Sequence, residues 1–96
     1  MKDIKKDNPK DKELERIIKA LANRRRLAIL RYLKKGREAT VGDITEEISL
    51  SFKATSKHLA ILAASQLVDR DQIGIKMFYR ISDQIPESAR RIVSLL

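Results

Sequence analysis

Apolar residues recur along this chain at two spacings, and the change from one to the other falls close to residue 67. In "KDNPKDKELERIIKALAN", Leu14, Ile17, Ile18, Leu21 and Ala22 follow each other at helical spacing, which predicts a first helix from about Pro9 or Lys10 to Ala22. Asn23 is a good N-cap for a second helix, in which Leu27, Leu30 and Leu33 share one side before Gly36, a natural stop. A short extended piece follows. Thr40, with Asp43 three residues on, then resembles a capping box in which Asp replaces Glu, ahead of Val41, Ile44 and Ile48 on one face of a short third helix. Ser49 and Leu50 make a tight link, with Leu50 expected to be buried, and Ser51 is placed to cap a fourth helix over residues 52–65.

Beyond that point the period becomes two. Ile75, Met77, Tyr79 and Ile81 alternate with Lys76, Phe78 and Arg80, and residues 68–71 can pair antiparallel with them through a turn near Ile73 and Gly74. Pro86 then fits the N1 position of a last helix carrying Ala89, Ile92, Val93 and Leu96 on one face. No later residues of the sequence cover that stripe, so a partner subunit is expected to do so. Two helices joined by a turn of three or four residues are the signature of a helix-turn-helix, and the hairpin behind them is the "wing". The expected fold is mainly α with a small β-hairpin, in the order α-α-β-α-α-β-β-α. Residues 1–9 are read as a polar N-terminal arm and residues 10–96 as one domain that includes terminal dimerisation helices.

Composition narrows the class. Ninety-six residues make one domain with a modest core, and the absence of Cys excludes disulfides and thiolate metal sites while leaving the redox compartment open. Met1 is followed by Lys and Asp rather than by a long apolar run, and no stretch is long enough to span a bilayer. The expectation is a soluble cytoplasmic protein with no membrane partner. The net charge of +8 points to a polyanionic partner, and its distribution strengthens that reading. Signs nearly balance over residues 1–13, whereas residues 19–37 and 53–68 contain basic residues and no acid. Arg24 and Arg25 fall in the first turn of the second helix, where cations oppose the helix dipole, and contact with a nearby phosphate is one reason for them.

The stretch "LSFKATSKHLAIL" concentrates the candidate chemistry. Around a helical wheel, Thr55, Leu59, Leu62 and Ala63 form a core arc with Phe52 close by, while Lys53, Ser56, Lys57, Ala60 and Ala64 share another. Small and cationic side chains together let a helix approach the floor of a groove while lysines reach bases or phosphates, with Ser51, Phe52 and Lys53 pointing most directly at the bases. A solvated helix face is the plain alternative, against which stand the regional charge, Arg70 on the first strand and Lys76 near the hairpin tip. Phe52 either staples the first turn to the core or projects into the groove. His58 lies beside the core arc; it is read as a half-buried packing residue bonded to backbone, with a base or phosphate contact as the functional alternative. A lone His lacks the ligand set of a metal site, and Ser56 points away from it, so neither metal nor catalytic chemistry gathers there. Phosphate loops and metalloprotease or nucleophile-elbow motifs are missing from the sequence, and Glu46 and Glu47 read as ordinary salt-bridging surface acids. Neither an enzyme nor a cofactor is expected.

Over about 70 of the 96 residues, the chain resembles the ArsR family of winged helix-turn-helix transcriptional repressors. "ALANRRRLAIL" is similar to the family's "ALADPTRLRIL", "VGDITEEISLSFKATSKHLAIL" to "VGELAEALGLSQSTVSRHLKVL", and "LVDRDQIGIKMFYRIS" to "LVRSRREGRRVYYRL", in the same order and nearly without gaps. The resemblance implies a homodimer joined by first and last helices, with Leu14, Ile17, Ile18, Ala89, Ile92, Val93 and Leu96 at the interface. It also implies two recognition helices in successive major grooves of a pseudo-palindromic operator, wings against the flanking minor grooves, and repression by promoter occlusion. DNA contacts are implied at Ser51, Phe52, Lys53, Ser56 and Lys57, and more weakly at His58. Phe52 stands where the family usually has Gln, so base preference does not transfer. The family's metal-sensing "ELCVCDL" is here "EATVGDI", with Thr40 and Gly42 in the thiolate positions, and "PESARRIVSLL" has no His, so metal sensing is not expected. The expected function is a metal-independent, sequence-specific transcriptional regulator of duplex DNA. The competing classes are a winged-helix adaptor for an acidic protein partner and a non-specific chromosome-coating protein.

Overall fold

Three side-chain caps fix where helices begin. In the computed structural model, which describes residues 8–96, Asn23 is extended and its Oδ1 accepts hydrogen bonds from the backbone N–H groups of Arg25 and Arg26 at 2.9 and 3.1 Å. This starts α2 (Arg24–Leu33) directly after α1 (Asp11–Leu21). The Thr40 Oγ1 accepts from the Asp43 amide, and the Asp43 carboxylate accepts from the Thr40 amide, both at 3.1 Å, closing the capping box that opens α3 (Val41–Ile48). Ser51 Oγ accepts from the Ala54 amide at 3.1 Å and starts α4 (Phe52–Ala64). Three φ-positive residues make the sharp helix exits: Gly36 at 78° ends the turn after α2, Ser49 at 54° lets the chain reverse between α3 and α4, and Gln66 at 63° turns it from α4 toward the hairpin. Residues 1–7 of the expected N-terminal arm lie outside the described residues, and Asn8 and Pro9 are exposed.

The hairpin joins β1 (Val68–Ile73) to β2 (Lys76–Ile81), antiparallel, in a continuous register from Val68 opposite Ile81 to Ile73 opposite Lys76. The extended piece expected before α3 is reduced to one bridge, in which Ala39 and Tyr79 exchange both backbone hydrogen bonds at 2.8 and 3.0 Å. It goes no further because Thr40, the next residue, is already the helix cap. The last helix, α5 (Glu87–Val93), starts one residue later than expected: Pro86 has ψ 145° and is its cap rather than its first helical residue, with its carbonyl accepting from the Arg90 amide. The fold is therefore mainly α with a two-stranded wing.

The core lies where α1, α2, α3, α4, the hairpin and α5 converge. Ile29, Leu30 and Leu33 from α2, Ile44 from α3, Leu59 and Leu62 from α4, and Leu67, Val68 and Tyr79 from the hairpin region are buried. The inward face of α2 is rotated from the expected stripe, since Ile29 is fully buried and Leu27 only half-buried. Leu50, expected inside, is half-buried in the link. Thr55 is fully buried without an orphaned hydroxyl, because its Oγ1 donates to the Ser51 carbonyl at 2.8 Å.

Because α1 and α5 pack on each other, the apolar stripe expected to await a partner divides in two. Ile17, Ala89 and Val93 are buried within the chain itself, and Leu96 is half-buried against the same core. Leu14, Ile18 and Ile92 remain exposed, with Ile18 at 54% and the unanticipated Leu95 at 80%. The covering that the stripe needs is thus supplied in part by the chain's own first helix.

Leu59→Ala is expected to cost about 2–5 kcal/mol by opening a cavity in the fully buried core. Asn23→Ala should cost about 1 kcal/mol through loss of the cap. Ile61→Ala, on the exposed side of the same helix as Leu59, should stay within about 0.5 kcal/mol. Urea unfolding followed by circular dichroism checks all three.

Candidate nucleic-acid interface

The first two turns of α4 carry the candidate surface. Lys53 and Lys57 are exposed and, among the described residues, neither joins an ion pair; Ser56 between them is half-buried. The Ser51 side chain takes the Ala54 amide, so the N–H groups of Phe52 and Lys53 have no acceptor among the described residues and point out of the helix end. An open helix N-terminus with two unpaired lysines attracts anions by dipole and by charge.

Phe52 is not the core staple that its place on the wheel allowed. Its side chain is 62% exposed and borders a shallow cleft with Thr40, Val41 and Gly42 of the α3 start and Lys76 and Met77 of the wing. That cleft brings the wing strand β2 alongside the N-terminus of α4. Lys76 and Arg70 are both exposed, and among the described residues neither is ion-paired. Arg24 and Arg25, in the first turn of α2, are exposed as well.

The small-residue face does not stay cationic along the whole helix. Ala60 and Ala64 border a groove shared with Asp69, Arg70, Asp71 and Arg80 of the wing. Arg80 holds three carboxylates, those of Asp71 at 2.9 Å, Asp83 at 3.1 Å and Asp69 at 3.5 Å. The hydrogen bond that Arg80 Nε donates to Asp71, reinforced by the charges of all three aspartates, holds the guanidinium still more firmly protonated than usual. Within this groove Asp69 and Asp71 are offset by Arg70 and Arg80, so the C-terminal half of the face carries no excess of cations to match Lys53 and Lys57 at the N-terminal turns. Glu46 and Glu47 are exposed and form no ion pair among the described residues, contrary to the salt-bridging expected of them.

His58 is half-buried, but its partner is a side chain and not the backbone. Arg26 Nη1 lies 3.2 Å from His58 Nδ1, and since a guanidinium only donates, Nδ1 accepts and the ring proton resides on Nε2. The same guanidinium donates from Nε to the Ala20 carbonyl at 2.6 Å and from Nη2 to the Lys19 carbonyl at 3.0 Å. Burial, and then the charges of Arg26 and Arg25, push the His58 imidazole below its ordinary value of 6.5. Sequence reasoning passed over Arg26; the available signal was its place three residues past the cap, one turn from the carbonyl-rich end of α1.

Comparison with known proteins identifies the scaffold. Residues 23–70 match the model of a bacterial regulatory protein family, the arsR family. The chain belongs to the ArsR family. This ArsR-family chain is 39% identical over 66 residues to the transcriptional activator HlyU of Vibrio cholerae, a match covering 69% of the chain and 60% of that protein. A solved structure of Vibrio cholerae HlyU superimposes with a TM-score of 0.79 at 31% identity, covering 92% of this chain and 91% of that one. A homodimeric winged helix-turn-helix DNA-binding domain from Mycobacterium bovis gives a TM-score of 0.77 at 29% identity, covering 94% and 83%. These relatives place the ArsR-family chain among transcriptional regulatory proteins.

The lowered His58 pKa has a defined consequence for stability. At pH values above 6.5 the ring is neutral both folded and unfolded; as pH falls below 6.5 the unfolded chain takes up the proton first, so stability declines until the lower folded-state value has been passed. The urea midpoint of the wild type should therefore drop between about pH 7.5 and about pH 5, and His58→Gln should lack this component of the drop. Equal slopes for the two proteins would show that the ring titrates alike in both states.

Proposed function

We propose that this protein is a homodimeric, sequence-specific transcriptional regulator of duplex DNA, working in the cytoplasm as a repressor that occludes a promoter and takes no metal effector. The observation that carries the reading is the open, unpaired cationic start of α4 on an ArsR-family scaffold, with Lys53 and Lys57 exposed beside the two unoccupied amides. In this reading Lys53, Phe52 and Ser51 face base edges, Lys57, Arg24 and Arg25 meet phosphates, and Arg70 and Lys76 of the wing hold the flanking backbone. Ser56 is a lesser contact because it is half-buried, and His58, engaged by Arg26, supports the helix from behind.

Dimerisation is supported by the exposed apolar set on the packed α1–α5 pair, Leu14, Ile18, Ile92 and Leu95, and by the homodimeric state of the Mycobacterium bovis relative. The metal-free reading rests on residue type, since Thr40 and Gly42 stand at the positions the family's metal-sensing members fill with thiolates. Repression follows from steric occlusion by two such subunits. The relative HlyU carries the name of an activator, so a reporter assay with the operator placed over or upstream of the promoter decides the sign.

Selection of operator fragments from random duplex DNA should return a discrete pseudo-palindrome. Lys53→Ala or Lys57→Ala should weaken binding to it by about 1–3 kcal/mol where a base contact is lost, and should lower the steepness of its salt dependence by about one unit where a phosphate contact is lost. Uniform protection of any duplex in footprinting would favour a chromosome-coating protein, and salt-insensitive capture of an acidic protein without duplex binding would favour an adaptor. Ile18→Glu or Leu95→Glu should produce a monomer in sedimentation, with operator affinity reduced by about a hundredfold through loss of the second half-site.

A further inference from the structure

The tip of the wing has a composition that folding does not account for. Its ladder is complete to the last pair, Ile73 opposite Lys76, leaving a two-residue turn of Gly74 and Ile75. Gly74 has φ +64° and Ile75 a negative φ, the pattern of a type II′ turn, which requires Gly at its first central position and makes no demand for an apolar residue at its second. Yet Ile75 is 96% exposed and Ile73 beside it 57%, so neither contributes much to the core. A turn of this kind is ordinarily polar, and a β-branched hydrocarbon at its apex gains nothing from water.

We propose that Ile75, backed by Ile73, is an apolar wedge that enters a base step of the DNA minor groove flanking the major groove met by α4, and so selects a deformable sequence there. The inference rests on the reading that α4 meets duplex DNA. Three features favour that occupant over others. The tip is stiffly mounted, because hydrogen-bonded pairing reaches its last residue and the Gln72 side-chain amide also bonds the Gly74 carbonyl at 3.4 Å. Its next residue, Lys76, lines the same cleft as Phe52, so the tip stands on the side of the molecule that carries the start of α4. Lys76, unpaired among the described residues, also sets a cation directly beside the hydrocarbon, which matches a groove whose walls are phosphates and whose floor is base edge. Isoleucine side chains placed between base pairs unstack them and kink the duplex, and pyrimidine–purine steps yield most easily.

A wedge of this kind predicts specificity at positions where no hydrogen bond is made. The selected operator should carry TA or CA/TG steps at a fixed distance outside each half-site, and 2-aminopurine placed at that step should brighten when the wild-type protein binds. Ile75→Ala should abolish the brightening, equalise affinity for operators with and without the flexible step, and weaken binding to the preferred operator by about five- to tenfold. Its thermal unfolding should match that of the wild type, because Ile75 packs against nothing. Lys53→Ala should instead weaken binding with the flanking preference and the brightening intact. If Ile75→Ala keeps the wild-type flanking preference and affinity, the wedge is overturned while the DNA reading stands. If Ile75→Ala instead alters only sedimentation, the tip belongs to a contact between copies of the chain, and the wedge is again overturned. A wild type with no preference among duplexes would sink both readings together.

Discussion

Arg26 is the residue on which the mutual placement of the helices turns. Its guanidinium closes the C-terminal end of α1 by donating to the Lys19 and Ala20 carbonyls, while its remaining arm reaches His58 in the middle of α4. Carbonyls at a helix end have no partner in their own helix, and a cation there also meets the negative end of the dipole. Arg26 itself stands at the cap of α2, where Asn23 receives its backbone amide. Three helices thus meet at one planar group with fixed donor directions, something a lysine could not reproduce with a single ammonium. Since α1 pairs with α5 and α4 carries the cationic face, the same group sits between the exposed apolar surface and the charged one.

Electrostatics elsewhere follow a division of labour among the cations. Arg16, Lys19, Arg80, Arg90 and Arg91 are matched to carboxylates, and Arg37 lies 5.1 Å from the centre of the Tyr32 ring. Lys53, Lys57, Arg70 and Lys76 have no such partner among the described residues. The net charge of +8 is a weak guide by comparison, because it counts paired charges as cancelled but says nothing of where the unmatched cations lie. Next to the C-terminal half of α4, Asp69 and Asp71 lie among Arg70 and Arg80, so charge there is close to balanced. A polyanion approaching that helix therefore meets its strongest attraction at the N-terminal turns.

Much of this was readable from residue order. Asn23, Thr40 with Asp43, and Ser51 announce helix starts because caps are satisfied within three residues, and such local bonds need no knowledge of the remaining chain. The period-two run read as a wing for a similar reason. What sequence could not supply was the identity of neighbours across the fold. A wheel assigns Phe52 an angle near the core arc, but whether that angle meets protein depends on how far α3 and the wing extend past the first turn of α4, and they leave an open cleft. The terminal stripe had the same weakness: its period is set locally, while the burial of Ile17, Ala89 and Val93 depends on α1 lying against α5. The place of Arg26 near the end of α1 was legible, but its bond to His58 was hidden, because a long side chain can reach a partner 32 residues away and nothing in its local pattern marks that contact.

The residues that make the fold and those available for recognition are nearly separate sets, and the separation is itself a consequence of helix geometry. On α4, Thr55, Leu59 and Leu62 take the inward positions and are fully buried, which pins the rotation of the helix about its axis. Once that rotation is fixed, Lys53 and Lys57 have no choice but to face outward, and changing them costs the core nothing. The same holds at the wing, where Val68 and Tyr79 anchor the base in the core and packing leaves the choice of side chain at the tip open. Exposed apolar residues that packing does not require, Phe52 and Ile75 among them, are therefore the positions at which one chain on this scaffold can differ most from another in what it recognises. The fold fixes the posture, and packing leaves these few side chains free to vary.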